Sequence, residues 1–297
     1  MFSLKSEREF RRARVRAMFS KIFSVLKSDD LLPLTEVSSL IKPSAQAYRG
    51  IQSVPISLIV GSEGRYRDFN KRFFPRFLHL RSRWESINRA HDRGVTLPPV
   101  QLYEIGGVYF VRDGNHRVSV ALQRGQEFID AEVTTLHTDL KLDETMSMED
   151  LRREVIEYEK KRFFEITKLR RYRPDAALEF TAPGRFDEAY KHILGHKYYM
   201  NLDKEKELPL KDAVISWYDN VYHPIIDIIE AEKVISRFPG RTVSDLYIWI
   251  VHYWDDLKRR YGNQYSSHRA VLKFSKAFGK NFVGVIAEKL RHLFRKR

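Results

Sequence analysis

No cysteine occurs among the 297 residues. That absence removes disulfides, zinc ribbons, iron–sulfur clusters and every cysteine nucleophile, and leaves metal ligation to histidine and carboxylates. Long hydrophobic runs are missing too, since nothing approaches the roughly 20 apolar residues needed to cross a bilayer. The first residues are basic but lack the apolar core and cleavage site of a signal peptide, so the expected location is the cytoplasm. Acids are scarce beside bases, 39 against 53, and the formal charge is +14. Internal repeats and low-complexity tracts are also lacking.

What is present is a chain with 43% hydrophobic residues, enough for one large domain or two ordinary ones. Its positive charge is clustered. Residues 1–27 hold eight Lys/Arg against two acids, and residues 63–93 hold nine against four. Further clusters lie at 152–173 and at Arg291, Arg295, Lys296 and Arg297. Such clusters suit a nucleic acid or an anionic membrane, and equally a solvated face. Arg11, Arg12, Arg14 and Arg16, with Lys71 and Arg72, are the candidate nucleic-acid contacts.

The most informative stretch is Asp113-Gly114-Asn115-His116-Arg117. Before it, Val108, Tyr109, Phe110 and Val111 read as a strand. After it, Val118, Val120, Ala121 and Leu122 read as a short helix closed by Gly125. Gly114 has no side chain to block a ligand, Asp113 can cap the first turn, and the free N–H groups of a helix start favour an anion. His116 and Arg117 add up to two cationic donors there. An ordinary capped turn, with His116 packed and Arg117 paired to an acid, fits the five residues equally well. Arg65 and Arg67 follow the first strand and are candidates to close over the opposite side of a bound phosphate. Pro98 and Gln101 mark an edge that could read a base.

The coarse organisation begins with a basic helix over 1–27, whose narrow apolar face of Phe10, Ala13 and Ala17 predicts packing rather than membrane contact. A short helix starts at Thr35 and stops before Pro43. Residues 54–60 form a strand, residues 69–93 carry helical spacing broken near Pro75, and residues 100–103 and 109–111 pair as a hairpin about Gly106-Gly107. A last strand covers 128–133. Beyond Met146 the pattern is helical, with segments at 148–169, 186–193, 210–218, 224–236, 244–261, 267–278 and 282–294. These divisions predict a basic helical segment (1–50), a phosphate-binding α+β domain (51–140), a charged helix and linker (141–185) and a helical domain (186–297). Leu246, Trp249, Ile250, Tyr253 and Trp254 recur at helical spacing and are expected in a core. His223, His252 and His268 match no metal-ligand spacing, and no structural metal is expected.

Taken in order, the strand at 54–60, the Pro98-Pro99-Val100 entry, the strand through Tyr109 and Val111, the Asp113-to-Arg117 turn, the Ala121 helix and the Ile129 strand resemble the ParB/sulfiredoxin-like fold. The resemblance covers about a quarter of the chain and implies a compact mixed sheet-and-helix domain that binds a nucleotide. It does not settle the chemistry. Sulfiredoxins carry a reactive cysteine where this chain has Asn115, so their reaction is excluded. Partition-type ParB proteins bind CTP through a Gly-Glu-Arg-Arg turn, which Asn115-His116 alters here, and no clear helix-turn-helix follows. Free-serine kinases share the Asp-Gly-X-X-Arg pattern. By that likeness Glu63, with Asp68 in reserve, would be the base for phosphotransfer, although a solvated acid paired with Arg65 or Arg67 fits Glu63 as well.

Further on, Trp217 to Pro224 with Pro239-Gly240-Arg241-Thr242 and Asp245 to Trp249 resembles an uncharacterised helical domain found beside some ParB-like domains. Three functions follow as expectations: a ParB-like nucleotide-binding protein associated with nucleic acid, a nucleotide-dependent phosphotransferase, or a DNA-binding regulator without nucleotide. The implied cofactor is CTP, ATP or ADP, with Mg as a companion ion. A two-metal nuclease is disfavoured, since no carboxylate cluster is evident.

Overall fold

The computed structural model describes residues 2–23, 30–202, 204–262 and 265–279. The expected helix at 282–294 and the last basic cluster lie outside these residues. The chain divides into two compact units, Met1–Val155 and Ile156–Arg297.

The first unit is built on six strands in the order β1-β3-β5-β4-β6-β2. They are β1 (Leu32–Pro33), β2 (Gln46–Pro55), β3 (Ile59–Ser62), β4 (Val100–Ile105), β5 (Val108–Asp113) and β6 (Phe128–Leu136). Gly106 and Gly107, both at positive φ (62° and 95°), make the tight β4–β5 turn that side chains resist. β3 runs parallel to β5, and a Cβ on Gly61 would collide with the Leu32 carbonyl and the Phe110 ring. The sheet is mixed, because β4 also pairs antiparallel with β5 and parallel with β6.

One core gathers Val54, Ile59, Phe69, Leu102, Val111 and Val118. A second holds Phe10 of α1 (Phe2–Phe23) against Trp84 of α3 (Arg81–Asp92), with rings 5.7 Å apart, and against Val120 of α4 (Asn115–Gln123); the short helix expected before Pro43 is α2 (Leu34–Ile41). Trp84 also donates its indole N–H to Ser119 at 2.9 Å, which satisfies both buried polar groups. The N-terminal helix therefore buries Phe10 and Ala13 within its own unit.

Two expectations change. The strand expected over 54–60 is two strands joined by a 3-10 turn at Ile56–Leu58, with Pro55, which has no N–H to donate, as the last residue of β2. Helical spacing over 69–77 gives a loop instead. There the buried Asn70 side chain accepts the N–H groups of Arg72 (3.1 Å) and Phe74 (2.8 Å), offering the backbone an alternative to a helix. A 3-10 turn at Leu78–Leu80 then leads into α3.

The second unit is helical. Its helices are α6 (Leu169–Tyr172), α7 (Arg185–Asn201), α8 (Leu210–Trp217), α9 (His223–Ala231), α10 (Val243–Tyr261) and α11 (Ser267–Phe278), while α5 (Met148–Thr167) begins in the first unit and continues into it. Thr242 and Asp245 form a reciprocal capping box that starts α10. Leu246 and Ile250 are buried in its core, and Trp249, Tyr253 and Trp254 pack against that core, as their spacing predicts. Between α8 and α9 a π-type turn at Tyr218–Tyr222 precedes Pro224, whose ring crowds the carbonyl four residues back.

Candidate phosphate site at the start of helix α4

The parallel pairing of β3 with β5 sets Ser62 beside Val111, so the loops leaving both strands emerge together. The buried Ser62 hydroxyl donates to the Val111 carbonyl (3.1 Å) and accepts the N–H of Arg65 (3.4 Å). Arg65 is thereby held near the turn that begins α4. Ligands favour this end of such strands, where loops and helix starts converge.

Gly114 caps α4 in the left-handed region (φ 106°, ψ 19°). A Cβ there would lie 2.6 Å from Val100 Cγ1, so conformation and space both call for glycine. The first intrahelical bond runs from Val118 N–H to the Gly114 carbonyl at 3.0 Å, and the N–H groups of residues 115–117 have no partner within the helix. The turn that carries them lines a cavity of about 450 Å³ together with Arg65, His79 and Arg83.

Two lining side chains carry buried polar atoms without a partner, Oδ1 of Asn115 and Nδ1 of His116. Asn115 is 6% exposed and His116 9%. Unpaired buried polar atoms each cost on the order of 1–3 kcal/mol, which a ligand that pairs them would recover. The His116 ring meets Phe69 edge-on at 5.3 Å. Burial, then the charges of Arg65 and Arg83, push its pKa down to about 4. His116 is therefore neutral near pH 7 and donates or accepts a hydrogen bond without adding charge, which corrects the expected cation.

Arg117 has a different set of partners from a free phosphate clamp. Its Nη1 donates to the carbonyls of Pro98 (2.6 Å) and Pro99 (2.8 Å), and its Nη2 donates to the Asp113 carboxylate. The exposed cations lining the cavity are instead Arg65 and Arg83. Arg65 is shared with Asp68 at 3.4 Å. Arg83 is exposed on α3 and has no acid partner among the described residues. Sequence reasoning missed Arg83; its only signal was membership of the basic stretch 63–93.

The other candidates are dispersed. Glu63 is exposed and donates its N–H to Val111, but its side chain does not line this cavity, and Asp68 serves Arg65. Pro98 contributes its carbonyl to Arg117, and Gln101 donates to Glu132 at 3.4 Å. Arg67 stacks on Tyr66 and lines a separate cavity of about 880 Å³. That larger space is nearly charge-balanced, with Arg76 on Asp30 at 2.6 Å and Arg152 near Glu36 at 3.9 Å. Lys71 lines it too and donates to the Thr145 carbonyl at 2.9 Å. On α1, Arg11 pairs with Glu7 at 3.5 Å, Arg12 is exposed, Arg14 is half-buried, and the Arg16 side chain lies outside the described residues. Arg72 is exposed. His223, His252 and His268 each pair with one acid, respectively Asp227, Glu188 and Glu232.

A solved structure described as a Pnob8-like ParB-N domain is similar to this chain at 12% identity, covering 85% of this chain and 98% of that one with a TM-score of 0.21. The fold is α+β. It rests on the strand order and the helical second unit described above. No protein-family model and no curated protein matches the chain. No described helix is long and apolar enough to cross a membrane.

Proposed function

We propose that the start of α4 binds the phosphate groups of a nucleotide and that the protein associates with nucleic acid. The observation that carries the nucleotide reading is the convergence, on one cavity, of an open helix N-terminus, two arginines and two unpartnered buried polar atoms, of which Nδ1 of His116 can donate to a phosphate oxygen while Oδ1 of Asn115, an acceptor, suits a hydroxyl or amino group of a nucleotide. Backbone N–H groups aimed outward and a positive helix end favour an anion, and guanidinium forks grip phosphate oxygens in pairs. Asn115 and His116 form the inner wall, Gly114 permits close approach, and Arg65 and Arg83 neutralise charge from the open side. Arg117 holds the turn in shape.

The Mg expected beside the nucleotide has a single lining carboxylate, Asp113, which is engaged by Arg117. Phosphate charge in this reading is met by arginine. Calorimetric titration with CTP, ATP and ADP, with and without Mg, tests it. Binding of at least one nucleotide that weakens roughly tenfold to a hundredfold in Arg83→Ala supports the site. Equal affinity in wild type and Arg83→Ala removes it.

A further inference from the structure

The second unit has its own basic surface, away from the candidate nucleotide residues in sequence and built by a bend in the chain. α5 ends at Thr167, whose buried hydroxyl donates to the Phe163 carbonyl (2.7 Å) and accepts the N–H of Leu169 (3.3 Å). Lys168 then adopts the left-handed conformation (φ 52°, ψ 24°), and the four residues of α6 follow, anchored by the fully buried Leu169. This corner leaves Arg162, Lys168, Arg170 and Arg171 exposed. α8 brings in a fifth cation, Lys211, whose Nζ lies 5.5 Å from the Tyr172 ring centre.

None of these five has a carboxylate partner among the described residues. The contrast with their neighbour is direct, because Arg173, the next residue after α6, is held at both prongs by Asp219. The Arg170 guanidinium stacks 3.9 Å from the Phe164 ring centre, which restricts its long side chain and leaves its edge available. We propose that the α5–α6 corner docks the phosphodiester backbone of a nucleic acid. Three of the five cations are arginines, whose planar forks match phosphate. Ile166, at 41% exposure, is the large apolar side chain exposed along this stretch, whereas a membrane-lying helix needs a broad apolar face.

Lys168 gives the proposal its sharpest handle. A lysine at φ 52° is less comfortable than glycine, so Lys168→Gly relieves backbone strain while removing a charge. A residue kept for stability alone would be improved by that change. The proposal names the surface for the nucleic-acid half of the function proposed above and rests on that half.

Fluorescence anisotropy of the full chain with a labelled DNA duplex, repeated over a salt series, reads the effect. Arg162→Gln/Lys168→Gln/Arg171→Gln is expected to keep the wild-type Tm, bind about tenfold or more weakly, and show a log–log salt slope shallower by roughly 2–3. Lys168→Gly should melt no lower than wild type and bind DNA more weakly. Nucleotide affinity should be unchanged in both. A triple variant with wild-type DNA affinity and slope overturns the surface while leaving nucleic-acid association standing. Wild type that binds no duplex overturns both, and so does binding to phosphatidylserine vesicles in place of DNA.

Discussion

Arg117 Nη1 donates to the Pro98 carbonyl oxygen at 2.6 Å, so the arginine of the turn braces the chain entering β4. With Pro99 and Asp113 as further acceptors, it ties both edges of the site together. Its side chain is 14% exposed. Arg117→Ala should therefore destabilise the ligand-free protein, on the order of 1.5–3 kcal/mol, because two proline carbonyls lose a charged donor. Urea unfolding without nucleotide checks this, and an unchanged midpoint would make Arg117 a ligand clamp alone.

Gly114→Ala places a methyl group 2.6 Å from Val100 Cγ1 at a φ of 106°. A loss of about 1–3 kcal/mol is expected from strain and overlap together, with weaker nucleotide binding as the turn shifts. Thermal melts paired with calorimetry measure both effects.

Arg83→Ala should separate binding from stability. The side chain is exposed and without an acid partner among the described residues, so its removal should change stability by no more than about 0.5 kcal/mol. Affinity for nucleotide should still fall roughly tenfold or more. A large loss of Tm would show that Arg83 supports the fold.

His116 sets a pH dependence. Its pKa falls from the usual 6.5 to about 4, by burial first and then by Arg65 and Arg83. As pH drops through about 6.5 the unfolded chain takes a proton that the folded protein refuses until about 4. The stability tied to neutral His116 is full above pH 6.5, declines between the two values and is lost below pH 4. Its size is on the order of 1–3 kcal/mol. Melts of wild type and His116→Gln across this range should converge toward acid pH, and parallel curves would contradict the assignment.

Much of the fold is legible in residue patterns, and the reasons are local. Val108 to Val111 followed by Gly114 and an apolar helix announces β5, the turn and α4. Gly106-Gly107 announces the hairpin, and Ser266 with Gly279 brackets α11. β2 was hidden because Gln46, Arg49, Gln52 and Ser53 give no alternation, and the strand is exposed on much of both faces. The site was legible in position and less so in roles. That Arg117 serves Pro98, that His116 sits under Phe69 and loses its charge, and that α3 supplies Arg83 are consequences of contacts 18 or more residues apart along the chain.

Phosphate resting on the first turn of α4 would touch the N–H groups of residues 115–117. An NMR titration of the 15N-labelled full chain with CTP, ATP and ADP observes the relevant N–H groups directly. Saturable downfield shifts are expected at the amides of Asn115, His116 and Arg117 for at least one nucleotide, absent when the nucleoside is added instead. Shifts confined to Arg67 and the cavity around Arg76, with residues 115–117 unmoved, would contradict that placement.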